Sequence, residues 1–234
     1  MQRQTWGSSI WEEKNQNHGE IGVILGTGFG KRHLDRNTDY HFNLMKKEFL
    51  SRLQKPGSAL LDVGVGPMAR FAIPLAQMGY KVTGLDTSNA AIQNARKHAA
   101  KIQITNMEFI ESDFTSFRVP TKFDGLYCIE TFYHVPAHLS LLAFDSFNQS
   151  LRDGALAWVQ FALLNEYTPG FLLKNLLYFT ARNILKAFFN KFGRKAFYVT
   201  VARHSESEIQ DISDRTGFEI IYHAADIYCF RKVG

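Results

Sequence analysis

The residues best suited to chemistry in this sequence lie in Leu60-Leu61-Asp62-Val63-Gly64-Val65-Gly66-Pro67-Met68-Ala69-Arg70, an apolar run that ends on a carboxylate and enters a turn of small residues. Glycines at 64 and 66 let a bound group approach the backbone, and a helix starting after them offers unpaired amides to polar or anionic groups. Twenty-four residues beyond Asp62, a second run ends in Gly84-Leu85-Asp86 and is followed by Thr87. A carboxylate there can accept two hydrogen bonds from a ribose diol. A third run closes on Glu111-Ser112-Asp113-Phe114, where an acid beside an aromatic can bond an adenine amine and cover its ring. A fourth ends at Ile129-Glu130-Thr131-Phe132-Tyr133-His134-Val135-Pro136. There Glu130 and Tyr133 can orient a ligand, and His134 can take a proton.

These groups meet only if the runs are parallel strands that end on one edge. Residues 59–63, 80–85, 107–110, 123–129 and 155–161 read as buried strands, alternating with helical stretches over 68–78, 87–100 and 137–150. Such alternation predicts βαβ units and a mainly parallel sheet covered on both faces, whose carboxyl edge is the ligand edge. Ser205-Glu206-Ser207-Glu208 opens a capped helix to Arg215, and residues 218–222 and 227–230 read as a closing strand pair. Upstream, Phe42, Met45, Phe49 and Leu53 fall at helical spacing in an amphipathic helix from Tyr40, stopped before Pro56-Gly57. The expected fold is therefore α/β and doubly wound, with a mainly parallel seven-stranded sheet, helices on both faces, and a helical insertion after the fifth strand.

Composition bounds the rest. A chain of 234 residues that is 45% hydrophobic and 14% aromatic can bury a sizeable core, which excludes disorder and fibrous classes. Cys128 and Cys229 stand in no metal-ligand spacing and read as small buried hydrophobes, so no disulfide framework and no metal site are expected. The N-terminus lacks the apolar core of a secretory signal, and no stretch reaches the length of a membrane span, which points to a soluble cytoplasmic protein. Residues 165–198 carry Lys174, Arg182, Lys186, Lys191, Arg194 and Lys195 against Glu166 alone, a local charge of 6 − 1 = +5 that equals the excess of the whole chain. This basic, phenylalanine-rich segment within 165–200 reads first as a substrate lid, second, over 170–192, as a helix lying on a membrane surface, and third as a helical cap with a solvated basic face. Residues 1–39 read as an N-terminal arm ahead of a catalytic domain over 40–234. Within the arm, Gly26-Thr27-Gly28-Phe29-Gly30-Lys31 lacks the strand and helix context of a phosphate loop and reads as a hinge.

Over residues 40–161, and again over 204–231, the sequence resembles the class I S-adenosylmethionine-dependent methyltransferases. Leu61-Asp62-Val63-Gly64-Val65-Gly66 is similar to the first motif of that family, Asp86 to its ribose-binding acid, and Asp113-Phe114 to its adenine-contacting pair. Phe123-Asp124-Gly125-Leu126-Tyr127 with Tyr133-His134-Val135-Pro136 is similar to its fourth-strand motif. The resemblance implies S-adenosylmethionine as cofactor and S-adenosylhomocysteine as product. It implies a cofactor site drawn from Asp62, Gly64, Gly66, Asp86, Thr87, Asp113, Phe114, Ile129 and Glu130, with Tyr40 covering the methionine end and His41 beside it. His134 and Tyr133 are the expected catalytic pair, and the acceptor is a small, partly apolar or aromatic metabolite methylated on N, O or C.

Nucleic acid is not expected, because Glu130-Thr131-Phe132-Tyr133 stands where base-modifying enzymes carry a [DN]PP[YF] loop. A nicotinamide site would want a third glycine where Ala69 stands. Pro67 replaces the small residue usual in the family and removes a backbone donor, which keeps open a cofactor-binding protein without catalysis. A membrane-associated lipid or quinone methyltransferase is the other alternative, and monomer and homodimer both stay open.

Overall fold

The computed structural model describes residues 11, 12, 16, 31–53, 57–119, 121–164 and 201–234, with 31–37 as backbone alone. The expected insertion over 165–200 and the glycine-rich stretch at 26–30 lie outside these residues. Seven strands form one sheet: β1 (Ala59–Val63), β2 (Lys81–Asp86), β3 (Met107–Glu111), β4 (Phe123–Cys128), β5 (Leu151–Gln160), β6 (Phe218–Ala224) and β7 (Ile227–Lys232). Their spatial order is β3-β2-β1-β4-β5-β7-β6. Strands β1 to β5 run parallel, while β7 is antiparallel to both β5 and β6. The chain builds outward from β1 to β3, then returns to place β4 on the other side of β1. This reversal opens a crevice beyond the carboxyl ends of β1 and β4, the place where doubly wound sheets bind ligands.

The strand sequences alternate between two cores. Leu61, Val63, Leu126, Cys128, Ala157 and Val159 pack on one face beneath α4 (Ser140–Ser150) and α5 (Glu206–Arg215), which contribute Phe144, Phe147, Ile209 and Ile212. Leu60, Tyr127, Leu156 and Trp158 pack on the other, beneath α1 (Lys31–Glu48), α2 (Ala72–Gln77) and α3 (Asn89–Lys101). The two cysteines are buried and free on opposite faces, Cys128 in the first core and Cys229 in the second. Met45 of α1 and Phe49 just beyond its end are fully buried, and Phe49 lies 6.0 Å from Trp158, ring to ring. Phe49 fits there because Gly125 of β4 has no side chain to meet it.

Several boundaries differ from the sequence reading. Helix α1 begins at Lys31 rather than Tyr40, because residues 31–39 carry no apolar stripe to mark them. Helix α2 begins at Ala72 rather than at 68, because Ala69 adopts a left-handed φ of +46° that interrupts helical geometry. Pro67 therefore sits in a turn and does not open the helix. Strand β5 starts at Leu151, which pairs with Phe123; a register shift then takes up Arg152, Asp153 and Gly154, the last at φ +75°. The stretch at 137–150 splits into a 3₁₀ turn, Ala137–Leu139, and α4. The capped helix at Ser205 is as read: the Ser205 hydroxyl accepts from Glu208 N, and the Glu208 carboxylate accepts from Ser205 N.

Candidate functional site

The turn after β1 is folded back onto β2. The amides of Gly64 and Val65 both donate to Leu85 O, at 2.8 and 3.0 Å. Gly64 takes φ +81°, and a side chain there would run into Thr131 at the end of β4, so two strand ends meet only because residue 64 has none. Gly66, at φ +62°, has open space where a side chain would stand, which leaves its backbone exposed to an approaching group. Its amide donates to Asp86 Oδ2 at 3.0 Å, while Asp86 Oδ1 accepts from Ser88 N at 3.0 Å. Each carboxylate oxygen keeps a second lone pair for a ligand hydroxyl. Burial pushes the Asp86 carboxyl up from its ordinary value, and the amides of Ser88, Gly66 and Thr87 oppose the shift.

Asp62, one strand inward, is 4% exposed. Burial, reinforced by the neighbouring Asp86, pushes its carboxyl up to about 8, so it carries a proton at neutral pH. The Tyr127 hydroxyl stands beside it without reaching hydrogen-bonding geometry. Asp113 closes β3 in a tight turn, accepting from Thr115 N at 2.9 Å and Thr115 Oγ1 at 2.8 Å. Phe114 is buried and packs 6.0 Å from Phe147, ring to ring.

Beyond β4, Ile129 is buried and Glu130 takes a left-handed φ of +56°. The Glu130 carboxylate pairs with Arg70, which also donates to Thr38 Oγ1 of α1 at 3.0 Å. Tyr133 and His134 fall in a 3₁₀ turn, Phe132–His134, with their rings edge to face at 4.5 Å. Ala202 N donates to Tyr133 O at 2.7 Å, so the chain returning toward α5 pins this turn. Burial drives the Tyr133 phenol well above its usual range, which keeps it a hydrogen-bond donor. On α1, Tyr40 is 55% exposed, whereas His41 is buried with its Nδ1 unpartnered, and burial pulls its imidazole below the ordinary value. The Tyr40 ring, expected over the methionine end, packs edge to face on His41 at 5.3 Å.

The arm also reaches this edge. Trp11 lies 5.2 Å from His134, ring to ring, while Glu12 accepts from Ser88 Oγ at 2.9 Å and Ala90 N at 3.1 Å at the start of α3.

The matching family model, a methyltransferase domain, covers residues 60–154, from β1 into β5. Over that stretch the chain is similar to a methyltransferase domain. Among curated relatives it is 29% identical over 137 residues to the ubiquinone biosynthesis O-methyltransferase of Albidiferax ferrireducens, covering 57% of this chain and 52% of that protein. It is 32% identical over 108 residues to the mitochondrial enzyme of the same name from Schizosaccharomyces pombe, covering 45% of this chain and 39% of that one. The chain thus spans about half the length of the curated relatives it matches first. Among solved structures, magnesium protoporphyrin IX methyltransferase from Synechocystis PCC 6803, with bound SAM, shares the fold at a TM-score of 0.60 and 17% identity, over 97% of this chain and 92% of that one. An S-adenosylmethionine-dependent methyltransferase from Methanosarcina mazei does so at 0.61 and 17%, over 80% and 97%.

At this edge Asp62, Gly64, Gly66, Asp86 and Thr87 lie at the adjacent ends of β1 and β2, and Glu130, Tyr133 and His134 follow the neighbouring end of β4. Sequence reasoning missed Arg70, Gln160 and Asp226, which support Glu130. A signal existed for two of them. Gln160 is the one polar residue in the apolar run 155–161, and Arg70 interrupts a run of small and apolar residues. A polar group embedded in a buried strand needs a partner.

Proposed function

We propose that this protein is an S-adenosylmethionine-dependent methyltransferase acting on a small, partly aromatic acceptor, with a hydroxyl of a hydroxylated aromatic ring as the favoured methyl-accepting group. The observation that carries the cofactor reading is the bond from Gly66 N to Asp86 Oδ2, which sets a carboxylate with spare lone pairs against an open glycine backbone. The hydroxyl acceptor is supported by the names of the relatives, ubiquinone biosynthesis O-methyltransferases. Cytoplasmic residence is part of the same proposal; among the described residues, no helix is long and apolar enough to cross a membrane.

Bound at this edge, S-adenosylmethionine supplies a methyl group on a positively charged sulfur, already activated toward attack. Asp86 and Thr87 would hold its ribose and Asp113 its adenine side, and the glycine turn offers open backbone beside them. His134 receives the proton of the acceptor hydroxyl, and Tyr133, kept protonated by burial, donates a hydrogen bond that orients it. Alignment of acceptor and methyl with exclusion of water is worth on the order of 7–11 kcal/mol, so positioning carries most of the rate. The test is calorimetric titration with S-adenosylmethionine and S-adenosylhomocysteine, followed by radiolabelled methyl transfer to 3,4-dihydroxybenzoate. Micromolar binding with label in the ring ether supports the reading. Binding without label on any phenol, amine or acidic carbon tried would favour the non-catalytic alternative, and no binding would end the cofactor assignment.

A further inference from the structure

Glu130 occupies a backbone region that a non-glycine residue adopts only where its surroundings fix it, and two sets of contacts do so. On the crevice side, its carboxylate pairs with Arg70, itself tied to Thr38 of α1. On the far side, its amide donates to Gln160 Oε1 at 2.8 Å, and Gln160 Nε2 donates to Asp226 Oδ2 at 2.7 Å. Asp226 lies in the short turn between β6 and β7 and is fastened in turn, because Phe161 N donates to its carbonyl at 2.8 Å. Gln160 is 8% exposed and continues the row of Leu156 and Trp158 beneath α1.

The polarity of this relay is forced. A backbone amide can only donate and a carboxylate can only accept, so the residue between them must present an oxygen to one and an N–H to the other. Glutamine does both. Because Gln160 is buried and its two partners are half-buried, a broken link leaves its buried amide poorly satisfied.

We propose that Gln160 and Asp226 are positioning residues of the cofactor site, holding the Glu130 backbone in its left-handed conformation and so setting its carboxylate, with Arg70, against the amino-acid end of the bound nucleoside. The proposal rests on the S-adenosylmethionine reading above. That end carries one ammonium and one carboxylate, and Glu130 and Arg70 offer the opposite charges to each. The antiparallel hairpin that closes the sheet thereby acts on a site built by its parallel half.

The experiment compares two nucleosides by calorimetry. S-adenosylhomocysteine has the amino-acid end and 5′-methylthioadenosine lacks it. Gln160→Glu, which faces one carboxylate with another, and Asp226→Ala, which removes the acceptor, should each weaken S-adenosylhomocysteine at least fivefold and leave 5′-methylthioadenosine within twofold, which also shows that the variants fold. The double variant, Gln160→Glu with Asp226→Asn, reverses the relay. The carboxylate introduced on β5 then accepts from both the Glu130 amide and the side-chain amide introduced in the β6–β7 turn, and most of the lost affinity should return. Unchanged binding in the single variants, equal weakening of both nucleosides, or a double variant no better than the singles would overturn the proposal while leaving the cofactor reading intact. Failure of the wild-type protein to bind either nucleoside would overturn both.

Discussion

Asp86 accepts a hydrogen bond from the amide of Gly66 at 3.0 Å, so the carboxylate that ends β2 is fastened to the glycine turn that follows β1. Neither residue can hold a nucleoside alone. The turn supplies open backbone, the acid supplies lone pairs, and the bond sets their spacing before any ligand arrives. Replacing Asp86 by alanine should therefore weaken both S-adenosylhomocysteine and 5′-methylthioadenosine by tenfold or more in calorimetric titration. Unchanged affinity would remove Asp86 from the ribose site.

Gly64→Ala tests the meeting of the β1 and β4 ends. The new methyl would collide with Thr131 and would require a left-handed backbone at residue 64. Together these should destabilise the fold by about 1–3 kcal/mol and lower the thermal midpoint by several degrees. Gly64→Ala combined with Thr131→Gly removes the collision but keeps the backbone cost, so it should recover only part of the loss in a melting experiment.

His134→Ala should lower the methyl-transfer rate by about a hundredfold or more while leaving S-adenosylhomocysteine affinity within twofold. Full activity in this variant would end its candidacy as the proton acceptor. Trp11→Ala removes the ring beside it, and the expected result is a smaller loss of rate at unchanged cofactor affinity.

Asp62 makes stability depend on pH in a stated direction. Its folded value of about 8 lies above the unfolded value of 3.8, so the native state holds a proton that the unfolded chain releases between these limits. The Asp62 contribution to stability should therefore fall as pH rises from 4 toward 8, the window set by those two values. Chemical denaturation at intervals across this range should show the decline in wild type and a flatter profile in Asp62→Asn. On the acid side, His41 and His204 are both held below the ordinary imidazole value by burial, so protonation opposes folding as pH drops below 6.5.

Residues 170–192 give a test of the first two readings of the basic segment. If its apolar side faces an acceptor pocket, the protein should stay out of the lipid fraction in flotation with anionic vesicles at low salt. Flotation that disappears as salt rises would favour the membrane-docked alternative.

Much of the fold was legible in the residues because it rests on local pattern. Apolar runs alternating with helical stretches identify βαβ units, and the acids at 62, 86 and 113 fall at strand ends whatever the strand order. Boundaries were less legible where pattern is silent. The start of α1 carries no apolar stripe, the left-handed turn at Ala69 has no glycine to announce it, and the register shift opposite Phe123 belongs to a pair of strands rather than to either one.

By itself, then, the sequence determined the order of the elements, the faces they bury and the acids at the crevice, since each depends on residues near one another in the chain. Tertiary structure decided which partners complete the site. Arg70 meets Glu130 across 60 residues, and Gln160 meets Asp226 across 66, because the sheet places β1 beside β4 and β7 beside β5. The same placement buries His41 while Tyr40 beside it stays exposed, a difference set by packing and not by either residue's type. Contacts of this kind arise only when distant strands become neighbours, so no local pattern encodes them.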